Sequence, residues 1–154
     1  MIATGALAAL LPAMPALAQD WRAYENSTLS YAVDVPVGLG QVAETDEGLI
    51  IQSPTVTLTV FGLVVAPMDF ATATQTAIAS SEEEGFVLTD RRVTPDWARY
   101  GAVNGALLQA VGLVALCDGQ SVAAYELRYM EADAAAMAPV IERLDGTLRV
   151  SRPC

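Results

Sequence analysis

The sequence predicts an α+β fold, in which a mainly antiparallel sheet carries packed helices. The first observation is the order of patterns along the chain, which runs strands, helix, strands, helix. The second is that turn signals separate neighbouring strands, so hairpins dominate. The third is the pair Asp118 and Gly119 between two long apolar runs. An Asp-Gly pair in this setting is the strongest short-range hairpin signal.

The hairpin around Asp118 and Gly119 sets the register of the sheet. We expect these two residues to form the loop, both with positive φ. Counting outwards then places Gly112 opposite Tyr125, where the missing side chain leaves room for the ring. The other pairs are Leu116 with Ser121, Val114 with Ala123, Ala110 with Leu127 and Leu108 with Tyr129 on one face, and Gln109 with Arg128 and Val111 with Glu126 on the other. The first face is apolar and should meet the core, whereas the second is mixed and should be only partly covered.

Alternating and β-branched patterns predict the remaining strands. The clearest covers residues 55–65, where threonines line one face and apolar residues the other. A tight turn at Asn104 and Gly105 would place Arg99 opposite Ala110 on the apolar face, which is unfavourable. A longer loop over residues 101–105 avoids this pairing and is the expected connection. Residues 21–26 form a short polar-aromatic entry, and strands are predicted over residues 29–35, 41–44, 49–53, 55–65, 86–93 and 97–100.

Two helices are predicted, one on each side of the central strands in the sequence. Asp69 is a suitable N-cap for the first, and Gly85 a suitable residue to end it. Asp133 can cap the second, which Gly146 closes, and Pro139 should kink it or mark the start of its regular part. The apolar stripes are Phe70, Ala73, Ala77, Ile78 and Ser81 in the first helix and Met137, Val140, Ile141 and Leu144 in the second.

Residues 1–18 predict a cleaved signal peptide. They are uncharged, rich in small residues and leucine, and end in the cleavage pattern Ala16, Leu17, Ala18. The alternative is a retained membrane anchor, but the run is short for one and is interrupted by Pro12 and Pro15. We therefore expect a periplasmic or secreted protein without stable membrane insertion after cleavage, whose residues 19–154 form a single α+β domain.

The two cysteines, Cys117 and Cys154, are expected to form a disulfide, because an exported chain meets an oxidising compartment. The bond would tie the end of the chain to the turn of the central hairpin and close a loop of 38 residues. The alternative is a redox or metal-binding thiol pair. The sequence has no C-x-x-C motif and no histidine, which disfavours that alternative.

Several function classes are disfavoured by composition. The absence of histidine removes Ser-His-Asp and Cys-His catalysis and the usual zinc and iron sites. A net charge of −10 without a basic stripe argues against a nucleic-acid partner. We expect no catalytic residue, no cofactor and no metal site. Two alternatives stay open: acid–base work by the carboxylates Asp46 and Glu47 or Asp90 and Asp96, and a weak cation contact at Glu82, Glu83 and Glu84.

One basic and aromatic patch is the candidate interaction site. It consists of Arg91, Arg92, Trp97, Arg99 and Tyr100, residue types that protein interfaces favour. The competing interpretation is that Trp97 fills the core beneath the hairpin while the arginines neutralise local acids. The patch predicts a protein partner.

Pattern and order along the chain also indicate a family. The features are Trp21, Tyr24 and Asn26 before a strand ending in Pro36, the segment GLIIQSPTVTLTVFG at 48–62, and Trp97 with Gly101 and Gly105 before two long strands and a terminal helix. Together they resemble bacterial exported proteins with the PsbP-like fold, an α/β/α sandwich shared by extrinsic photosystem II subunits and a Ran-GTPase release factor. The resemblance implies a non-enzymatic binding or assembly module. The alternatives are a small-ligand or divalent-cation-binding domain and, more weakly, an unrecognised enzyme.

Overall fold

The structure, a computed structural model, describes residues 20–153. The predicted signal peptide and Cys154 lie outside this range. The strands are β1 Trp21–Asn26, β2 Tyr31–Pro36, β3 Gln41–Glu44, β4 Gly48–Gln52, β5 Val56–Val64, β6 Val87–Val93, β7 Trp97–Asn104, β8 Leu107–Ala115, β9 Ser121–Met130 and β10 Arg149–Val150. The α-helices are α1 Phe70–Glu83 and α2 Ala134–Thr147.

Two antiparallel sheets form the framework. The larger has seven strands in the order β3-β4-β5-β9-β8-β7-β6, and the smaller has the order β1-β2-β10. One face of the large sheet packs on α2 and the small sheet, and the other face packs on α1. The predicted α+β class is therefore confirmed. The face expected to be partly covered is sealed by α1 over Val111 and Leu113, while Glu126 and Arg128 remain half-exposed.

The hairpin of β8 and β9 has the predicted register, with Gly112 opposite Tyr125. Its loop differs from the prediction, because it spans four residues, 117–120, and within it only Gly119 has a positive φ. Leu116 N–H donates to the Ser121 carbonyl at 2.9 Å and closes the ladder. A four-residue loop centred on the same bond as a two-residue loop pairs the same residues, which is why the register is right and the turn type is wrong.

The side chain of Asp118 explains the wider loop. Its carboxylate accepts hydrogen bonds from the backbone N–H of Gln120 at 2.9 Å and of Ser121 at 2.7 Å, and from the Ser121 hydroxyl at 2.6 Å. An aspartate that bonds to the backbone two and three residues ahead forms its own turn without a positive φ. The same donors hold the pKa of Asp118 below its usual value, the Ser121 hydroxyl first.

Replacing Asp118 by alanine should lower the free energy of unfolding by about 1 kcal/mol at pH 7, because three hydrogen bonds are lost at an exposed turn. A carboxylate whose pKa is lowered by folding contributes stability above its unfolded-state pKa and loses it as pH falls through the folded one. The difference between Asp118→Ala and wild type should therefore shrink below roughly pH 4. Urea denaturation at pH 7 and pH 3 measures it. Asp133→Ala is the control, since Asp133 makes no capping bond; a pH-independent difference would contradict the expectation.

The connection between β7 and β8 corrects a second prediction. It is a two-residue loop of Gly105 and Ala106, with Asn104 paired to Leu107, and not a longer loop over residues 101–105. The loop lies one residue later than the rejected Asn-Gly turn, which shifts the pairing by two residues. Arg99 consequently faces Gly112 instead of Ala110.

Close packing at Gly112 carries a stability prediction. A Cβ atom added there would lie 2.3 Å from Cε1 of Tyr125, whose ring is 1% exposed and whose hydroxyl is bonded to Asp145. Because the ring cannot move away, Gly112→Ala should cost about 2 kcal/mol in the free energy of unfolding. Gly146→Ala is the matched control, because no atom lies within 4 Å of that Cβ position. Equal denaturation midpoints for the two variants would refute the packing argument.

The helices begin close to where the sequence predicts. Asp69 caps α1, since its carboxylate accepts the Thr72 N–H at 2.8 Å. Asp133 occupies the N-cap position of α2 without a capping bond, and α2 accommodates Pro139 in its second turn. Within residues 20–153, neither helix combines the length and apolar character that a membrane span requires.

Candidate functional site

A groove of about 600 Å³ lies on the α2 face of the large sheet, at its β6 edge. It is formed where the outer strands β6 and β7 meet the C-terminal end of α2. We call it the arginine groove, and its lining residues are Asp90, Arg91, Arg92, Trp97, Arg99, Val114, Asp145 and Leu148. Four of the five residues of the predicted patch border it.

Strand pairing explains which patch residues meet. Arg92 lies directly opposite Arg99, and Arg91 opposite Tyr100. Neighbouring residues on a strand point to opposite faces, so Arg92 and Arg99 share the groove face, whereas Arg91 and Tyr100 belong to the other one. Arg91 borders the groove all the same, because β6 is the edge strand of the sheet. Tyr100 is buried under α1, where its hydroxyl donates to the Ala77 carbonyl at 3.2 Å. The structure therefore separates Tyr100 from the groove.

Trp97 combines both interpretations offered by the sequence. Its ring is half-buried against the core shared with α2, and it also lines the groove. The guanidinium carbon of Arg99 lies 5.5 Å from the ring centroid, within the range of a cation–π contact. An aromatic surface with one side in the core and one side open is the kind of anchor that binding sites use.

Arg99 lies on the inner face because Asp145 neutralises it. The two side chains form an ion pair, and Nη2 of Arg99 also donates to the Asp145 carbonyl at 3.2 Å. The Tyr125 hydroxyl donates to Oδ1 of Asp145 at 2.6 Å. Burial first, and then the nearby Asp145 charge, raise the pKa of Tyr125 above its usual value, which keeps the hydroxyl a donor. This linked trio closes the inner wall of the groove.

The groove gathers three of the eight arginines of the chain. All eight basic residues of the chain are arginines, in a protein of net charge −10. Outside the groove, Arg22, Arg128 and Arg143 pair with acids, whereas Arg149 and Arg152 make no ion pair within residues 20–153. Within residues 20–153, Arg91 and Arg92 make no ion pair. Three arginines against two aspartates leave the groove lining with a net charge of +1.

The strand pairing of β6 and β7 places two arginines of the groove opposite each other, which is unfavourable unless an additional anion is bound. Like charges directly opposite each other on neighbouring strands destabilise a sheet, and Arg92 faces Arg99. Asp145 offsets Arg99 only, while Asp90 lies opposite Gly101 and accepts from the Thr89 hydroxyl at 3.2 Å. A carboxylate entering the groove would satisfy Arg92. The arrangement can therefore bind an acidic group.

The other candidate acids lie in turns or make contacts that stabilise the fold. Glu84 pairs with Arg128 at 2.8 Å, which ties the end of α1 to β9. Asp46 and Glu47 form an exposed turn whose carbonyl oxygens accept bonds from Asn26 and Tyr31. In the described part of the chain, no group of three or more His, Cys, Asp or Glu side chains is placed to hold a metal ion.

Asp145 is the groove residue that the sequence did not single out. It follows the last apolar residue of the α2 stripe, a position at which the sequence predicts a solvent-exposed acid at the end of the helix. Only the packing of α2 on the sheet brings it to Arg99 and Tyr125. At the hairpin loop, Sγ of Cys117 lies 3.8 Å from the carbonyl oxygen of Arg152. Because Cys154 is outside the described residues, its pairing with Cys117 stays a prediction.

Comparison with solved structures identifies the fold. The Saccharomyces cerevisiae Ran-binding protein Mog1p matches with a TM-score of 0.61 and 10% identity over 87% of this chain and 97% of Mog1p. Cyanobacterial PsbP (CyanoP) from Synechocystis sp. PCC 6803 matches with 0.61 and 7% over 92% and 98%. A Pseudomonas aeruginosa protein of unknown function matches with 0.55 and 14% over 87% and 99%. The predicted PsbP-like fold is confirmed.

At these identities the likeness concerns the fold alone. No protein-family model matches the chain, and no curated protein matches it in sequence. The arginine groove is therefore interpreted from its own residues.

Proposed function

We propose that this chain is an exported, non-catalytic binding module whose arginine groove docks an acidic segment of a partner protein. The observation that carries the proposal is the placement of Arg91 and Arg92, without acidic partners among residues 20–153, in a groove of a strongly acidic protein. An arginine binds a carboxylate through two parallel hydrogen bonds, which supplies both strength and orientation. Trp97 beside them supplies apolar contact area.

The comparisons support the protein-partner part of the proposal. Mog1p is by its name a Ran-binding protein, so at least one protein with this fold acts through a protein partner. The lack of histidine and of nucleophile motifs in the sequence supports a non-catalytic role. Export rests on residues 1–18, and mass spectrometry of the mature protein should find Gln19 at its amino terminus.

The overall charge shapes how such a partner would bind. At a distance, a chain of net charge −10 repels an acidic partner. Within the groove, the local arginines attract a carboxylate, so binding depends on one orientation of approach. Groove-mediated binding therefore favours one segment of the partner over a generally acidic surface.

Charge reversal in the groove tests the proposal. Arg91→Glu/Arg92→Glu should weaken capture of the partner from envelope extract at least tenfold, because the carboxylates would face like charges. The wild type and the variant are compared as immobilised mature proteins, and each captured protein is quantified by mass spectrometry. Arg149→Glu/Arg152→Glu changes the net charge equally at exposed sites that do not line the groove. Equal loss in both variants, or in neither, would contradict groove-specific binding.

A small anionic ligand is the second candidate occupant. A cavity of about 190 Å³ beneath α2 shares the lining residues Asp90, Arg99 and Asp145 with the groove, so the two cavities are neighbours. A thermal-shift panel of carboxylates, phosphates and divalent cations distinguishes this case, since a saturating ligand raises the melting temperature by mass action. A shift with one anion that disappears in Arg92→Met would favour the small ligand over the protein segment.

A further inference from the structure

The outer edge of β6 borders the arginine groove. β6 is the last strand of the large sheet and has β7 as its single neighbour there. It is seven residues long, and every residue except Leu88 is exposed. In an antiparallel strand, alternate residues direct their N–H and C=O groups to one side, so the outer side of β6 offers a row of backbone groups to a further strand.

The opposite edge of the same sheet is different. β3 has four residues, and its Glu44 forms an ion pair with Arg22 of the small sheet. A short edge with paired charges resists the addition of another strand. The regular part of β6, residues 90–93, is equally short, but its Arg91 and Arg92 have no acidic partner among residues 20–153. The two edges thus differ in charge: the charge of Glu44 on β3 is already paired, whereas β6 offers two arginines to the acidic residues of an added strand.

We propose that the acidic segment binds in an extended conformation as an eighth strand along β6. The proposal rests on the proposed function and specifies how the groove is used. Arg91 and Arg92 point to opposite faces of β6, and so would two consecutive residues of an added strand. Two adjacent acidic residues would therefore each meet one arginine across the strands, one at Arg92 on the groove face and one at Arg91 on the opposite face, and such opposite-charge pairing stabilises a sheet. Backbone hydrogen bonds supply affinity and the acidic pair supplies specificity.

The exposed valines of β6 also predict which residues should flank the two acidic residues of the added strand. Val93 is 42% exposed next to Arg92, and Val87 is 66% exposed at the other end of the strand. An apolar residue beside the acidic pair would cover Val93, whereas Val87 lies on the far side of an irregularity in β6. The register of β6 and β7 shifts between Leu88 and Asp90, so the regular part of β6 begins at Asp90. The added strand should therefore centre on Arg91 and Arg92.

A second copy of this chain is a poorer occupant than an acidic segment. Its β6 would present the same two arginines with a single acid, Asp90, beside them. Pairing of two identical β6 edges would bring like-charged arginines together, which discourages a second copy. The same residues that disfavour self-pairing favour an acidic strand.

A synthetic peptide tests the strand addition. The probe is an eight-residue capped peptide in which two adjacent glutamates are flanked by alternating valine and threonine. It should bind at least tenfold more tightly than the same peptide with two glutamines, as measured by isothermal titration calorimetry. In bound protein, amide hydrogen exchange should slow at least tenfold at alternate residues of β6. A probe N-methylated along one edge should bind at least tenfold more weakly, because it cannot complete the ladder.

The outcomes separate the two proposals. If the glutamate probe binds but β6 exchange is unchanged and N-methylation has no effect, strand addition is wrong while the acidic groove stands. If the glutamate and glutamine probes bind equally, or if Arg91→Glu/Arg92→Glu binds the glutamate probe as wild type does, the proposed function is wrong. Sedimentation showing a dimer that protects β6 would assign the edge to a second copy and overturn the inference. Arg91→Gln/Arg92→Gln, a milder change, serves if the charge-reversed variant fails to fold.

Discussion

Loss of the expected disulfide between Cys117 and Cys154 should lower the free energy of unfolding by about 4 kcal/mol. The chain-entropy model gives this value for a closed loop of 38 residues, because the bond restricts the unfolded chain more than the folded one. The structure brings the tail to the right place, since the Arg152 carbonyl lies 3.8 Å from Sγ of Cys117. Arg152 precedes Cys154 by two residues.

Urea denaturation with and without reductant measures this effect. The double variant Cys117→Ser/Cys154→Ser is the matched control, and it should behave like the reduced wild type and be insensitive to reductant. Intact mass of the non-reduced protein should be lower than that of the reduced protein by about two hydrogens, as one disulfide requires. Two thiols that alkylate freely in the purified protein would rule out the bond.

Asp145→Ala should lower the free energy of unfolding by about 3 kcal/mol. The substitution leaves the Arg99 charge, 17% exposed, without its counter-ion, and it removes the acceptor of the Tyr125 hydroxyl. Removing one partner of a fully buried ion pair costs about 3–5 kcal/mol, because the remaining charge is left without compensation. The lower end of the range applies because Asp145 is itself 35% exposed.

A double-mutant cycle separates the ion pair from simple loss of packing. Arg99→Met combined with Asp145→Ala should recover much of the stability, because no uncompensated charge remains. Tyr125→Phe, which loses one hydrogen bond, should cost about 1 kcal/mol. Strictly additive effects of the Arg99 and Asp145 substitutions would show that the pair is not coupled.

The register of the central hairpin could be predicted because it depends on local rules. Side chains alternate with a period of two, and one face of β8 and β9 is continuously apolar, so a single-residue slip would expose the whole core face. The loop itself could not be predicted from the Asp-Gly pair. Asp118 forms three hydrogen bonds that stabilise a four-residue loop. A prediction based only on the preference of Asp-Gly for positive φ takes no account of these bonds.

The connection between β7 and β8 could not be predicted, because it depends on a contact with a distant part of the chain. The longer loop was predicted because Arg99 on an apolar face would be unpaired, and that premise is wrong: Asp145 approaches it from α2. The polar-aromatic pattern of residues 21–26 predicts an entry segment, whereas the structure forms strand β1 there. The segment forms a strand because Tyr24 and Asn26 are buried when it pairs with β2 in a separate sheet.

The sequence by itself determined the α+β class, the hairpin register, the core face and the residue types of an interaction patch. Each of these follows from neighbours along the chain: periodicity, turn residues and charge. The tertiary structure alone decided that Arg91, Arg92, Trp97 and Arg99 share a groove, that Tyr100 does not, and that Asp145 completes the inner wall. The groove joins β6 and β7 to the end of α2, where Asp145 lies 46 residues beyond Arg99, and that meeting depends on how the α2 stripe packs on the sheet.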